Sequence, residues 1–343
     1  MTNNKIVRLK DIAESLGTSI NTVSRALKDK PDISYEMKQK VKRKAMELGY
    51  FPNILAASLR DGSSKVIAVV FDNLLNPYYM YMADLITTKL LNSKYATVIY
   101  RLDNGEFSME VLFKIFSRKV DGIITFSEPN EEICNFCNRF NMPLVLVGRK
   151  NTNLNISSVY TDDINGGYIA CESLIKSNCK NVAYLGSPKN IECSVRRSTG
   201  FEQYLIDNNI KYSKDNILFL NEDNEKIDCY LEKFINDKVD GIFCFNDMMA
   251  LDIIKYMHKK NIYIPQDIKI VAYDYLEEKF PMPFSLSSIN SDKEKIIEYT
   301  LDLLFKQINR EIDNKESIEV ETYIVKIDWF YYIWYLKIYE NIL

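Results

Sequence analysis

Histidine is almost missing from this sequence of 343 residues, which contains only His258. Since histidine is the commonest metal ligand, histidine metal clusters are excluded, and a Ser/His/Asp triad has a single weak candidate. Loops of the G-x-G-x-x-G and Walker types, which bind dinucleotides and nucleoside triphosphates, are missing as well. We therefore expect a protein that is not an enzyme and that uses no metal ion and no cofactor.

Paired cysteines and long apolar runs are also missing. The seven cysteines are scattered, and the lone C-x-x-C of Cys134 and Cys137 has no second pair to complete a tetrahedral metal site. Reduced thiols packed on buried faces are the simpler interpretation. No run of about 18 uncharged apolar residues could cross a membrane, and the start, MTNNKIVRLKDIAESLG, lacks the apolar core of a signal peptide. A cytoplasmic protein is expected.

Charge is distributed unevenly along the chain. Residues 1–64 contain 12 Lys and Arg against 7 Asp and Glu, a net charge of +5. Because the whole chain carries −3, residues 65–343 carry −8. A small basic segment ahead of a large acidic one indicates that the first meets a polyanion and the second does not. A chance fluctuation of surface charge is the alternative that charge alone leaves open.

Two short helices are predicted near the start of the chain. In LKDIAESLGTSINTVSRALK, Gly17 separates two apolar runs with helical spacing, and Ser19 is placed to cap the second helix. Two helices joined by a glycine turn are typical of a helix-turn-helix, whose second helix enters the DNA major groove. The apolar runs are Leu9, Ile12, Ala13 and Leu16, then Val23, Ala26 and Leu27.

The second helix has a polar face that packing does not require. Asn21 can make paired hydrogen bonds to adenine and Arg25 to guanine, while Ser19, Thr22 and Ser24 can bind phosphates or bases. An ordinary helical hairpin with a wet face is the structural alternative. A third helix, SYEMKQKVKRKAMELGYFP, completes an all-α domain over residues 1–52, followed by a hinge helix and linker at 53–64.

The stretch LKDIAESLGTSINTVSRALKDKPDISYEMKQKVKRKAMELGYFPNILAASLR resembles the head and hinge of the lactose-repressor (LacI/GalR) family of bacterial transcription regulators. The resemblance implies that Ile20, Asn21 and Arg25 face bases and that Thr22 and Ser24 face the DNA backbone. It adds three hinge residues to the DNA-binding set: Asn53, Ala56 and Leu59, the last as a minor-groove wedge. Arg8, in place of a usual Thr cap, and Ala57, in place of a usual Arg, depart from the family pattern.

The rest of the chain repeats an α/β pattern. KVDGIITFSEP at 119–129 is echoed by KVDGIFCFND at 238–247, and each is preceded by a β-rich run about 55 residues earlier. Strands that alternate with helices predict parallel sheets covered on both faces, and the repeat predicts two lobes. We expect an α/β body of two doubly wound parallel-sheet lobes, and the family resemblance implies the fold of periplasmic sugar-binding proteins.

Ligands of open α/β sheets bind beyond the carboxyl ends of the strands. Polar residues stand at those ends, with tyrosines and phenylalanines nearby, a mixture that suits a polyhydroxylated ligand: Asp72, Ser127, Arg149, Asn246, Asp247 and Asp274. A glycosidase carboxylate pair is the less favoured alternative, and helix capping is the structural alternative for Asp274. Together with positions that the resemblance implies, the expected effector-binding residues are Tyr78, Tyr79, Ser127, Arg149, Arg197, Asn246, Asp247 and Asp274.

The resemblance also implies three crossings between the lobes of a domain over residues 65–326. We expect them near 162, 289 and 320, so that the first lobe comprises about 65–162 and 289–320 and the second about 163–288 and 321–326. The strand and the helix after Ser288 then return to the first lobe. Residues 327–343, IDWFYYIWYLKIYENIL, form an aromatic tail that does not fit the family pattern.

These observations predict a cytoplasmic, nucleoid-associated transcription regulator. We expect a homodimeric repressor that binds a near-palindromic double-stranded DNA operator and is controlled by a small-molecule effector, a sugar or sugar derivative, between the lobes. A global regulator controlled by a partner protein is one alternative, and a sugar-binding protein without a regulatory role is another.

Overall fold

The computed structural model describes residues 7–51, 62–103, 105–151, 155–221, 227–282, 285–312 and 315–326. The chain forms two compact units, Met1–Ser64 and Lys65–Leu343, which we call the head and the body and describe separately. Residues 53–61 of the predicted hinge and linker (53–64) and the whole predicted tail (327–343) lie outside the described residues. Among the described helices, none is long and apolar enough to cross a membrane.

The head is a bundle of three helices, α1 (Leu9–Leu16), α2 (Ile20–Leu27) and α3 (Tyr35–Leu48). Gly17 ends α1 with a φ of +62°, a conformation that glycine adopts without strain, and the chain turns there into α2. The predicted all-α helix-turn-helix head is confirmed. Its buried core consists of Ile12, Ala13, Val23, Ala26, Val41 and Ala45.

The first lobe of the body contains a six-stranded sheet whose described pairings are all parallel. Its strands are β1 (Val66–Phe71), β2 (Ala96–Arg101), β3 (Gly122–Thr125), β4 (Leu144–Val147), β5 (Ser157–Thr161) and β11 (Ser317–Val320). They lie in the order β11-β5-β4-β3-β1-β2. Apolar cores on both faces of the sheet are closed by α4 (Pro77–Asn92), α5 (Met109–Ser117), α6 (Glu131–Arg139) and α11 (Lys293–Ile308).

The second lobe repeats this plan. Its strands are β6 (Val182–Gly186), β7 (Ile217–Phe219), β8 (Gly241–Cys244), β9 (Lys269–Tyr273), β10 (Ser287–Ser291) and β12 (Thr322–Val325), in the order β12-β10-β9-β8-β6-β7. Its helices are α7 (Asp163–Lys176), α8 (Glu192–Asp207), α9 (Ile227–Asn236) and α10 (Asp247–Lys259). Cores on both faces confirm the predicted pair of doubly wound lobes.

One edge strand of the second sheet is antiparallel, which the sequence analysis did not predict. β12 pairs with β10 so that Thr322 faces Ser291. β11 reaches the carboxyl edge of the first sheet at Val320, and β12 begins two residues later at the neighbouring edge of the second sheet. A chain that enters a sheet at its carboxyl edge has to run backwards, so the antiparallel direction follows from the short connection.

The lobes are joined at Asp162, Asp292 and Glu321. Asp162 follows β5, Asp292 follows β10, and Glu321 links β11 to β12. The prediction that the strand after Ser288 returns to the first lobe is wrong, because β10 pairs with β9 inside the second sheet. Only α11 returns, and it packs in the first-lobe core through Ile296, among others.

Candidate functional site in the head and between the lobes

The α2 helix of the head presents a polar face. Ser19, Ile20, Asn21 and Arg25 are exposed, and Thr22 and Ser24 are half-buried. Val23 and Ala26 of the same helix are fully buried in the head core. Helical spacing therefore places the six predicted DNA-contacting residues on or beside the face turned away from the core. The predicted contacts of Asn53, Ala56 and Leu59 fall outside the described residues.

Ser19 begins α2. Its hydroxyl oxygen accepts a hydrogen bond from the backbone N–H of Thr22 at 3.0 Å and lies 2.8 Å from the hydroxyl of Thr22. This is the capping role that the sequence predicted, and it satisfies one of the free N–H groups at the helix start. One of the two hydroxyls donates in the bond between them, so the other keeps its O–H to donate to a phosphate.

Arg25 has a partner that the sequence analysis missed. Its Nε donates to Oδ2 of Asp32 at 2.7 Å, and its Nη2 lies 2.6 Å from Oδ1 of the same carboxylate. The hydrogen bond from Arg25 lowers the pKa of Asp32, so this carboxylate is ionised at neutral pH. Asp32 lies seven residues after Arg25 in the turn before α3, a spacing with no helical period to reveal the contact.

In the body, a cleft opens where the carboxyl ends of the two sheets face each other. The cavity measures about 110 Å³. Six of the eight predicted effector residues line it: Tyr78, Tyr79, Arg149, Arg197, Asn246 and Asp274. Lining residues that were not among the predicted contacts include Asp72, Phe126, Thr161, Cys193, Phe245, Tyr273 and Ser291.

Arg197 is the most firmly held side chain of the cleft. Its Nε donates to Oδ1 of Asp163 at 2.8 Å and its Nη1 donates to the carbonyl of Phe245 at 2.6 Å. The guanidinium carbon lies 3.4 Å from the ring centroid of Tyr273. Burial by itself lowers the pKa of Arg197, but attraction by Asp163 and its neighbours outweighs that effect and raises it. The charge is therefore permanent and its orientation fixed.

Two glycines bring the helix of Arg197 to its place. A Cβ on Gly167 of α7 would lie 1.9 Å from the carbonyl oxygen of Arg197, and one on Gly200 of α8 would lie 1.8 Å from that of Ile164. Only a residue without a side chain permits such close backbones. The two helices therefore pack with their backbones almost in contact, and Arg197 reaches the cleft from α8 while Asp163 begins α7.

Arg149 and Asp72 form the opposite, first-lobe wall. Nη2 of Arg149 lies 3.6 Å from Oδ2 of Asp72, and the hydroxyl of Tyr79 donates to that same oxygen at 3.5 Å. The other oxygen, Oδ1 of Asp72, is buried and has no hydrogen-bond partner among the described residues. A buried acceptor without a partner costs about 1–3 kcal/mol. A donor on a bound ligand would remove that cost.

Asp274 lies on strained backbone. Its φ is +98° and that of Tyr275 is +50°, two successive non-glycine residues in conformations that cost about 1–3 kcal/mol each. Burial raises the pKa of the Asp274 carboxyl to about 7. In the described part of the chain its carboxylate has no hydrogen-bond partner, whereas its neighbour in the cleft, Asn246, uses Oδ1 to accept from Met249 N at 2.9 Å.

Ser127 and Asp247 are the two predicted effector residues that the structure does not bring to the cleft lining. The Ser127 hydroxyl donates to the carbonyl of Gly105 at 2.9 Å. Asp247 accepts from the N–H of Leu276 at 2.6 Å and from the hydroxyl of Ser288 at 2.7 Å. These bonds turn both side chains toward neighbouring loops and away from the cavity lining, and their contact with an effector stays a prediction. Asp247 instead fixes the turn that carries Asp274.

Signals for some lining residues outside the predicted contact set were present in the sequence. Asp72 stands at the end of a predicted strand, and Thr161 and Ser291 are the last residues of the strands before two lobe crossings. Cys193 lies in the first turn of α8, one helical turn before Arg197, and a lone buried cysteine gives no such signal. In the described residues, no group of three or more His, Cys, Asp and Glu could hold a metal ion.

A helix-turn-helix head joined to a two-lobed body with a polar cleft defines a DNA-binding regulator with a ligand-binding domain. Two family models match the chain: the bacterial regulatory proteins of the lacI family over residues 8–53, and the periplasmic binding protein-like domain over residues 171–326.

Known proteins match over nearly the whole chain. The transcriptional repressor PurR of Histophilus somni (strain 2336) is 26% identical over 318 residues, which cover 91% of this chain and 95% of PurR. The sucrose operon repressor of Streptococcus mutans is 29% identical over 318 residues, which cover 91% and 96%. The solved lac repressor dimer bound to operator and the anti-inducer ONPF has a TM-score of 0.79 at 20% identity, covering 94% of this chain and 98% of that one.

The chain belongs to the lacI family of bacterial regulatory proteins and is a DNA-binding transcriptional regulator. The predicted family and fold are confirmed.

Proposed function

We propose that this protein is a homodimeric repressor that binds a near-palindromic operator in nucleoid DNA and responds to an uncharged sugar or sugar derivative in the interlobe cleft. The observation that carries the effector class is the buried Oδ1 of Asp72, an acceptor without a partner in the described part of the cleft. A sugar hydroxyl can donate to this oxygen, and a second hydroxyl of the same sugar can donate to the carboxylate of Asp274.

The charges of the cleft favour an uncharged ligand over an anionic one. Arg197 is already paired with Asp163 at 2.8 Å, and Arg149 lies within 4.0 Å of both Asp72 and Glu128. No cationic excess is left for a phosphate or carboxylate. The rings of Tyr79 and Phe126, 5.6 Å apart, add an apolar surface on which the C–H face of a sugar ring can stack.

The size of the cleft gives the effector a way to act. A cavity of about 110 Å³ has room for three or four waters at ~30 Å³ each and is smaller than typical ligand sites. A sugar therefore has to widen it, which turns one lobe relative to the other. An effector changes operator affinity only through its different affinity for the two states, and typical coupling of 1–3 kcal/mol is roughly 5–150-fold.

The DNA side of the proposal depends on the head. A net charge of +5 over residues 1–64 supplies attraction to phosphates, and the exposed Asn21 and Arg25 supply base-reading groups. Two copies of one head, related by twofold symmetry, read the two halves of a palindrome.

The test has two stages. Binders of the full-length protein are selected from a random duplex pool at near-physiological salt, and the selected duplex is then titrated in the presence of a panel of neutral sugars, sugar phosphates and purines. Enrichment of a palindrome, with affinity changed only by a neutral sugar, is the expected result. A response to phosphates or purines alone would overturn the effector class. Failure to select any sequence, with and without the panel, would overturn the operator-binding role.

A further inference from the structure

The pair of Arg25 and Asp32 uses one particular edge of the guanidinium. The carboxylate takes Nε at 2.7 Å and Nη2 at 2.6 Å, which is the side edge of the group. Arginine has five N–H donors in a planar fork, so the end edge, formed by Nη1 and the second hydrogen of Nη2, keeps its donors. That end edge presents two parallel donors, which can pair with O6 and N7 of guanine. Asp32 can hold the arginine while it reads a base.

The backbone around Asp32 is fixed on both sides. Ile33 packs against the head core, and Ser34 caps α3 by accepting from the N–H of Met37 at 3.3 Å. On the other side, Pro31 has a fixed φ, and the N–H of Lys30 donates to the carbonyl of Arg25 itself at 3.1 Å. Asp32 is thus a rigid anchor, tied by its own turn to the helix that it serves.

Arg25 needs such an anchor more than its neighbours on α2 do. Its side chain is 44% exposed and has four rotatable bonds, so that about 2 kcal/mol of rotamer entropy has to be lost when it docks. Asn21, one turn earlier, has only two rotatable bonds. An arginine already held in the plane that a base requires loses less freedom on binding, and it penalises a wrong base more.

We propose that Asp32 is a specificity-determining residue that positions Arg25 for base readout without touching the DNA bases itself. This inference rests on the proposed function, since it requires that Arg25 faces a base pair of the operator. Its distinctive consequence is that Asp32 governs the discrimination at one base pair rather than overall affinity.

The experiment uses the full-length protein and the duplex selected by the wild type, varied one base pair at a time in each half-site. Discrimination is the ratio of dissociation constants for the selected and the altered pair, measured by fluorescence anisotropy at one salt concentration. Arg25→Ala identifies the base pair that Arg25 reads. Asp32→Asn removes the negative charge and one acceptor, and Asp32→Glu restores both on a longer side chain.

Asp29→Asn is the matched control. Asp29 lies in the same turn, is similarly exposed, and pairs with Lys38 at 3.3 Å and Lys42 at 3.9 Å instead of with Arg25. Its substitution removes the same charge from the same connection between α2 and α3, so any general gain in DNA affinity from weaker repulsion appears in both variants. Circular dichroism melting of each variant shows that the head is folded.

The expected result is that Asp32→Asn loses at least about fivefold of the discrimination at the Arg25 base pair and keeps it elsewhere, while Asp29→Asn and Asp32→Glu keep it at every position. Full discrimination in Asp32→Asn, with loss in Arg25→Ala, would overturn this inference alone. A gain in both discrimination and affinity would also overturn it, because Asp32 would then withhold Arg25 from DNA. If Arg25→Ala relaxes no base pair, the assignment of Arg25 fails first.

Discussion

The hydroxyl of Thr322 donates a hydrogen bond to the backbone carbonyl of Asp162 at 3.0 Å, although the two residues are 160 positions apart. The same hydroxyl accepts from Nδ2 of Asn165 at 3.2 Å. Asp162 is the first crossing between the lobes, and Thr322 directly follows the third. Two crossings that are distant in sequence are therefore hydrogen-bonded to each other, and these two links between the lobes behave as one unit.

Thr322→Val tests that unit. Valine keeps the shape of threonine but leaves the Asp162 carbonyl and the Asn165 amide without this partner, so the free energy of unfolding of the body is expected to fall by about 1–3 kcal/mol. Urea denaturation followed by circular dichroism measures it. Thr199→Val, at an exposed position of α8 where the hydroxyl donates to Val195 O, is the control and should change stability by less than about 0.5 kcal/mol. Equal losses of unfolding free energy in the two variants would refute the role of Thr322 in joining these links.

The ion pair of Asp163 and Arg197 is the second testable feature. Asp163→Asn leaves a buried guanidinium without its counter-charge, and about 3–5 kcal/mol of stability should be lost. The double variant Asp163→Asn, Arg197→Met should lose less than the single one, since no unpaired charge remains buried. Thermal unfolding of the three proteins gives the comparison. A double variant less stable than Asp163→Asn would contradict the account of a charge held by its partner.

Gly200 offers a test of the close contact between α7 and α8. Gly200→Ala places a methyl group against the backbone of Ile164, which cannot rotate away, so a loss of at least about 1–3 kcal/mol is expected. Gly122→Ala is the control, because its nearest neighbour at 2.9 Å is the end of the Leu304 side chain, which can shift more easily than backbone. Differential scanning calorimetry should rank the melting temperatures as wild type, Gly122→Ala, Gly200→Ala. The reverse order of the two variants would exclude the backbone clash.

Asp274 makes the stability of the body depend on pH. Burial raises its pKa to about 7 in the folded state, against about 3.9 in the unfolded chain. Between these values the folded state holds a proton that the unfolded state has lost, so stability is full below about pH 4 and falls as the pH rises to about 7. Asp247, whose pKa burial raises to about 6, adds a similar fall that ends earlier.

Asp274→Asn should therefore remove the fall in stability between pH 6 and pH 7 and leave the fall at lower pH that Asp247 causes. Urea midpoints at half-unit pH steps measure it, with Asp302→Asn, an exposed carboxylate paired with Lys306, as a control that should keep the wild-type slope. If the effector donates hydroxyls to the Asp274 carboxylate, its binding should also tighten as the pH rises through 7, and only in proteins that retain Asp274. A fall that persists between pH 6 and pH 7 would show that another group causes it.

The general fold could be predicted because its signals are local or repeated. Helical spacing in the head and the two KVDGI segments in the body each need only a short window of sequence. The position of the second crossing could not be predicted, since SLSSINSDK contains no break at Ser288. Whether β10 joins one sheet or the other depends on the edge that β9 offers, and β9 ends fourteen residues earlier.

The sequence predicted cleft residues whose place follows from the end of a strand, and it missed contacts that depend on a distant loop. Strand ends gave Arg149, Asn246 and Asp274 correctly as cleft residues. Ser127 and Asp247 are also polar residues at strand ends, but their hydrogen bonds with Gly105 and Leu276 turn them away from the cavity. The partner of Arg197, Asp163, is 34 residues away, and the partner of Arg25 lies in a turn. The roles of these residues toward ligand and DNA stay predictions.

The three links between the lobes, each a single residue long, limit the lobe motions that a bound effector can cause. Asp162, Asp292 and Glu321 leave no slack for the lobes to slide or separate, so the inexpensive motion is a rotation about the line of the links. Ligands that differ in every chemical detail are then reduced to one variable, the angle at which each of them holds the lobes. Under the proposed function, substitutions in the cleft can therefore change which sugar binds without changing the kind of lobe rotation that alters operator affinity.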